Sequence, residues 1–256
     1  MNIEENRISD LNIYLTRMQR SILDKMFFID KVFEPFENIV DFGCANGELI
    51  KAMLPMFPDY KYIGYDISSD MIAAAKENVS EAEFYSNWED IHIPFENSLL
   101  NISSTIHEVY SYGSEEDINV FWERVLKSGF RYIAIRDMMF TQAQQRPADA
   151  EQLQKVRNSA YGVWLEDFEK VWGEIKDQKQ LVHFLLKYKY TQNWEREVRE
   201  NYFPISVEQL MECIPDTYRV VYKETFTLPY IAWQLRKDFG FTPKEHTHIK
   251  LILEKR

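Results

Sequence analysis

Apolar residues fall into two alternating patterns along the chain. Ile8, Leu11, Leu15, Met18, Ile22, Met26, Ile29 and Phe33 recur at steps of three and four, which predicts an amphipathic helix over 7–33 flanked by Tyr14, Arg17, Arg20 and Lys25. Short apolar runs then appear at 39–42, 61–65, 83–86, 99–105 and 130–137, separated by stretches of helical character, as in a parallel sheet built from βαβ units. From Met138 to about Glu200 the pattern turns helical again, with apolar stripes through Leu153–Trp164, Leu165–Ile175 and Leu181–Tyr188. Ser206 to Glu212 carries a capping-box start, and 220–228 and 247–254 return to strand character.

The first strand runs directly into Gly43-Cys44-Ala45-Asn46-Gly47, after which Glu48–Leu54 resumes as helix. Glycines permit positive φ and a close ligand, and a helix start offers unpaired N–H groups, so this turn is a candidate nucleotide-binding element. A dinucleotide fingerprint needs glycine at its first, third and sixth positions, which here are Gly43, Ala45 and Glu48, so it is not met. The second strand ends in Asp66, about 20 residues past the glycines, where a carboxylate accepts ribose hydroxyls.

The run Asp41-Phe42-Gly43-Cys44-Ala45-Asn46-Gly47 resembles motif I of the class I S-adenosylmethionine (SAM)-dependent methyltransferases, with Ala45 in place of the middle glycine. Gly64-Tyr65-Asp66-Ile67-Ser68, followed by Met71 and Ile72, is similar to motif II. The resemblance covers roughly 36–137 and the last two strands. It implies an α/β, Rossmann-like seven-stranded methyltransferase sheet with its final strand antiparallel, an N-terminal helical cover over 1–34, and a domain over 35–256 with a helical cap inserted at about 138–205. It also implies SAM as cofactor, held by Asp41, Gly43, Cys44, Ala45, Asn46, Gly47, Asp66, Ile67, Met71 and Ser103, with Asn87 and Trp88 at the adenine and Tyr14 or Arg17 reaching the methionine part.

Catalytic groups in open parallel sheets gather outside the carboxyl ends of strands. That places His107, Tyr110 and Asp137 as candidates for catalysis, with His107 as the general base, and His107, Tyr112 and Arg136 as candidates for holding substrate. Glu108 has at most an orienting role on this reading. Arg136 and Asp137 either orient substrate or pair with each other. No Asn/Asp-Pro-Pro-Tyr occurs, which argues against methylation of a DNA base amine. His246 and His248 lack cysteine partners and are expected to pack at a strand end rather than bind zinc. No metal is expected.

Composition then narrows the partners. The 256 residues, 45% hydrophobic and 15% aromatic, suit one elaborated globular domain. The net charge of −11 argues against unspecific binding to a phosphate backbone. Lys187, Lys189, Arg196 and Arg199, interleaved with Tyr188, Tyr190 and Trp194, leave a nucleic-acid groove open as an alternative. Two cysteines, no apolar run of membrane-spanning length and a polar N-terminus without signal-peptide character point to a cytoplasmic protein. Three readings follow: a small-molecule O- or N-methyltransferase, which acidity and the cap favour; a methyltransferase acting on RNA or a nucleotide; and a non-catalytic SAM-fold interaction subunit. A homo-oligomer is compatible with each.

SAM or S-adenosylhomocysteine (SAH) at 100 times its dissociation constant should add about 2.7 kcal/mol to stability by mass action. A thermal shift with either, and none with NAD, is the expected outcome; an equal shift with NAD would contradict the motif reading.

Overall fold

A computed structural model describes residues 21–256. Seven strands form one sheet: β1 (Asn38–Phe42), β2 (Lys61–Tyr65), β3 (Glu83–Tyr85), β4 (Ser98–Ser103), β5 (Tyr132–Met138), β6 (Tyr218–Phe226) and β7 (His248–Lys255), in the order β3-β2-β1-β4-β5-β7-β6. β1 to β5 pair in parallel, and β7 inserts antiparallel between β5 and β6. The expected Rossmann-like methyltransferase sheet is therefore present, with its last strand reversed. Side chains alternate across the strands. Val40, Leu100, Ile133 and Leu251 join one core, and Ile39, Leu99, Tyr132 and Ile252 join the other. Burial on both faces explains why these strands read as continuous apolar runs.

The order reverses between β1 and β4, so the loops leaving their carboxyl ends diverge and open a crevice. After β1 the turn leads into α2 (Glu48–Met53); after β2 comes α3 (Ser69–Asn78), capped by Ser68; after β4 comes α4 (Ile106–Tyr112) and then α5 (Glu115–Lys127), whose Ser114 and Asp117 complete a capping box. Ahead of the sheet, α1 spans only Ile22–Lys25, and 26–31 continue as turns. The long helix expected to reach Phe33 is not continuous there: Phe28 is buried, while Phe33 is 96% exposed. The expected helix over 7–20, with Tyr14 and Arg17, lies outside the described residues.

Between β5 and β6 the chain forms α6 (Ala150–Arg157), α7 (Gly162–Trp172), α8 (Gln178–Lys187), α9 (Trp194–Glu197) and α10 (Val207–Glu212). α6 to α9 build their own core around Leu165, Phe168, Leu181 and Phe184, joined by Leu235 and Phe239 of α11 (Pro229–Phe239). Between the last two strands, α11 is started by Pro229 and ended by Gly240. Helices from two separate points in the chain close over the same sheet edge.

The turn after β1 depends on Gly43. Its φ is +78°, and a Cβ there would meet Thr105 Oγ1 at 2.5 Å. Thr105 Oγ1 in turn donates to the Phe42 carbonyl, which ties the β4 loop to the β1 loop. Gly43→Ala should therefore cost about 1–3 kcal/mol in urea denaturation, from backbone strain before the clash is counted. A change under about 0.5 kcal/mol, the range of a neutral surface substitution, would contradict this account of the turn.

Candidate active site

Asp66 joins the loops after β1 and β2. Its Oδ2 accepts the Ala45 N–H at 2.9 Å and its Oδ1 accepts the Ser68 N–H at 2.9 Å. Burial pushes the carboxyl up, and the two backbone donors act against that. Each oxygen keeps lone-pair capacity for a further donor, which suits a ribose diol.

Two cavities meet at this point. The first, of about 200 Å³, is lined by Phe42, Tyr65, Ile67, Met71, Val109 and Phe121, a mainly apolar slot beside Asp66. The second, of about 170 Å³, runs from Ser103, Ser104 and Arg136 to Tyr190, Arg196, Glu200 and Tyr202 of the helical segment, with Leu228, Tyr230 and Ile231 at the start of α11. Gly43, Ala45, Asp66, Thr105 and Glu108 line both. A narrow recess behind Gly43 is lined by Lys25, Asp41, Cys44 and Ser103. Asp41 there accepts from Asn101 Nδ2 at 2.7 Å, and burial pushes its carboxyl up to about 6, against that bond and nearby Lys25.

Most residues expected at a cofactor therefore converge: Asp41, Gly43, Cys44, Ala45, Asp66, Ile67, Met71 and Ser103 line these spaces. Asn46 and Gly47 complete the turn without lining a cavity; Asn46 Nδ2 donates to Glu48 at 3.4 Å. Asn87 and Trp88 do not fit the adenine role. β3 ends at Tyr85, and the chain then tucks Trp88 into the core 5.3 Å from the Phe42 and Tyr65 rings, leaving Asn87 exposed. Tyr65 and Phe121 supply the aromatic surface of the slot instead.

Asp137, fully buried at the end of β5, gathers four donors. Its Oδ2 takes the Thr105 and Ile106 N–H groups at 2.9 and 2.7 Å, and its Oδ1 takes Met138 N–H and His107 Nδ1, both at 2.7 Å. The far side of the imidazole, Nε2, lies 3.1 Å from Glu200 Oε1. Burial alone would disfavour a charged imidazole, but the carboxylates of Asp137 and Glu200 outweigh it and push its pKa up to about 10. Burial would likewise raise Glu200, yet His107 and Arg196 bring it down to about 2. Both ring nitrogens of His107 face carboxylates, an arrangement that favours the imidazolium and works against the general-base expectation.

Arg196 extends the network, 3.1 Å from both Glu108 and Glu200. Lys187, fully buried, donates to the Glu197 and Glu200 carbonyls, and Lys189 pairs with Asp238 at 2.5 Å. Of the cations that suggested a nucleic-acid groove, Lys187 is buried, Arg196 is held in ion pairs, Lys189 is half-buried and Arg199 is exposed. Tyr110 accepts from Trp122 Nε1 at 2.9 Å and packs on the sheet core; Tyr112 is buried with the Arg196 guanidinium 5.6 Å from its ring centre. Neither lines a cavity. His248, expected to pack at a strand end, lines the second cavity, and burial with nearby Arg136 pushes its pKa well below 6.5.

Comparison with known proteins agrees with this geometry. A family model described as a methyltransferase domain matches residues 40–109, the stretch from the glycine turn through Glu108. Residues 40–109 are thus similar to a methyltransferase domain, in keeping with the SAM-dependent methyltransferase motifs of that stretch. Two solved structures share the fold. The cyclopropane synthase MmaA2 from Mycobacterium tuberculosis is 12% identical with a TM-score of 0.52, over 91% of this chain and 84% of that one. A putative methyltransferase solved in complex with the Haloferax volcanii Trm112 methyltransferase activator is 11% identical with a TM-score of 0.51, over 96% and 95%.

The ligand atoms of His107, Glu108 and Glu200 lie within 4.8 Å of one another. The His107–Glu200 and Arg196 ion pairs run between them and form a salt-bridge network. Sequence reasoning missed Lys25, Arg196, Glu200, Tyr202 and Tyr230, and gave Glu108 too small a part. Trp194-Glu195-Arg196-Glu197-Val198-Arg199-Glu200 has the mixed charge of a solvated helix, and its docking onto α4 leaves no local signature.

Because its folded pKa lies above 6.5, His107 should stay protonated across roughly pH 5.5–8.5. Its stabilising contribution is complete below the unfolded value and is lost as pH rises toward about 10. Imidazole ¹⁵N shifts constant through neutral pH are the expected result; a midpoint near 6.5 would contradict the double ion pair.

Proposed function

We propose that this methyltransferase moves the methyl group of SAM to an oxygen or nitrogen nucleophile of a small molecule. The observation that carries the reading is that the cavity beside Asp66 and the helix-covered cavity share Gly43, Ala45, Thr105 and Glu108 as a common boundary. SAM supplies an electrophilic methyl on a sulfonium. On this reading Asp66 holds the ribose, the Tyr65–Ile67–Phe121 slot holds the base, and the recess at Asp41, Cys44 and Ser103 holds the methionine part. The second cavity receives the acceptor, with α8, α9 and α11 acting as a cap that excludes water and aligns nucleophile and methyl. As the new bond to carbon forms and the bond to sulfur breaks, the proton of the nucleophile passes to a protein group.

Glu108 is that group. It lies on the boundary of both cavities, and burial together with the Glu200 carboxylate raises its pKa, with Arg196 acting against them. A carboxylate so tuned is a better proton acceptor than an ordinary one. His107 then serves as a fixed cation that holds Glu200, and through it Arg196, in place. The burial of Lys187 and the ion pairs of Arg196 disfavour an RNA acceptor. No described helix is long and apolar enough to span a membrane, and Cys44 and Cys213 are free, which supports a cytoplasmic setting.

Glu108→Gln should lower transfer of labelled methyl from SAM into the small-molecule fraction of a cell extract by about 10²–10⁴-fold, with SAH affinity little changed. Wild-type turnover should rise with pH through the raised Glu108 pKa and lose that limb in the variant. Undiminished transfer by a folded Glu108→Gln protein would remove it as the base.

A further inference from the structure

The second cavity is electrically lopsided. On its α9 side, Glu108 and Glu200 are matched by Arg196 and His107. The opposite corner, between β5 and α1, brings the cations Arg136 and Lys25 to the cavity wall. Arg136 is 3% exposed; its Nε donates to Asp24 at 2.8 Å and its Nη1 to Ser104 Oγ at 3.0 Å. Asp24 is shared with Lys250, 2.5 Å away. Lys25, 5% exposed, lines the same cavity, and its side chain has no hydrogen bond or ion pair among the described residues. Arg136 and Lys250 thus share Asp24, while Lys25 lies close to Arg136 with Asp41 and Asp137 nearby. Arg136 Nη2 is buried with no hydrogen-bond partner, a costly state for a guanidinium nitrogen.

We propose that Arg136 Nη2, with Lys25 beside it, is the subsite for a carboxylate on the methyl acceptor, so that the acceptor is a small organic acid. This rests on reading the second cavity as the acceptor site. A guanidinium with an open N–H and a lysine close by recognise a carboxylate by charge-assisted hydrogen bonds. The anion does not belong to the cofactor on this account: neither the slot beside Asp66 nor the recess behind Gly43 reaches Arg136. Arg136 lies instead with Met138, Leu228, Tyr230 and His248, where an organic body finds apolar walls. The lopsided charge also sets direction. An acid is drawn to Arg136 and repelled from the Glu108 wall, so its carboxylate points away from the base and its other end toward it.

The test titrates SAH-saturated full-length protein with benzoate and with benzamide, its uncharged analogue, following melting temperature and calorimetric heat. Benzoate should bind and benzamide should not, and Arg136→Gln should weaken benzoate at least tenfold while changing SAH affinity by less than about threefold. If Arg136→Gln fails to fold, Arg136→Lys keeps a charge beside Asp24, lacks the second guanidinium nitrogen, and should weaken benzoate at least fivefold. Equal responses to benzoate and benzamide, or none to either, would overturn the subsite. So would an Arg136→Gln protein that loses SAH affinity while keeping that for 5′-methylthioadenosine, which lacks the amino-acid part, because the anion would then be the cofactor's own. Absence of SAH binding to the wild type would instead bring down the functional reading beneath the proposal.

Discussion

A single buried carboxylate holds the catalytic edge together. Asp137 accepts the first N–H groups of the loop and helix that leave β4, an N–H of its own strand, and the imidazole of His107. A charge with no exposed surface is tolerated only when its oxygens are filled, and removing a partner from such a site costs about 3–5 kcal/mol. The constraint propagates outward. It sets where α4 begins, hence where Glu108 faces, and it orients His107 so that Nε2 meets Glu200 from a segment more than sixty residues later in the chain. The helices over the site are docked by charge as much as by their own core.

This arrangement separates two tasks on one sheet edge. The β1 and β2 loops, tied by Asp66 to two backbone N–H groups, make a largely apolar slot suited to a nucleoside. The β4 and β5 loops carry ionised groups into the adjoining cavity, where their balance differs from one wall to the other. Ala45 and Ser104, both at positive φ without being glycine, sit where these loops meet. Such strain persists where surrounding contacts over-determine the backbone, as hydrogen bonds to Asp66 and from Arg136 do here.

What the sequence disclosed follows from which interactions are local. Strands buried on both faces read as apolar runs, glycines that need positive φ stand in the turn, and Asp66 lies at its fixed distance beyond them. Arg136 and Asp137 are adjacent, so pairing was one reading. Strand alternation sends them to opposite faces, where one meets Asp24 and Ser104 and the other meets His107. Trp88 looked available as an adenine platform because its residue type suits either a core or a ligand, and only the shortness of β3 decides between them. Glu200 and Lys25 look like ordinary surface charges until tertiary docking buries them. Their roles depend on contacts between segments far apart in sequence, which periodicity does not encode.

The central claim is that the cofactor bridges the boundary shared by the two cavities. A crystal structure of the SAH complex tests it most directly. The account predicts both ribose hydroxyls on the Asp66 carboxylate, the base between Ile67 and Phe121, and the sulfur at the Gly43–Thr105 boundary facing Glu108. SAH bound with its ribose away from Asp66, or with its sulfur turned from the helix-covered cavity, would contradict it.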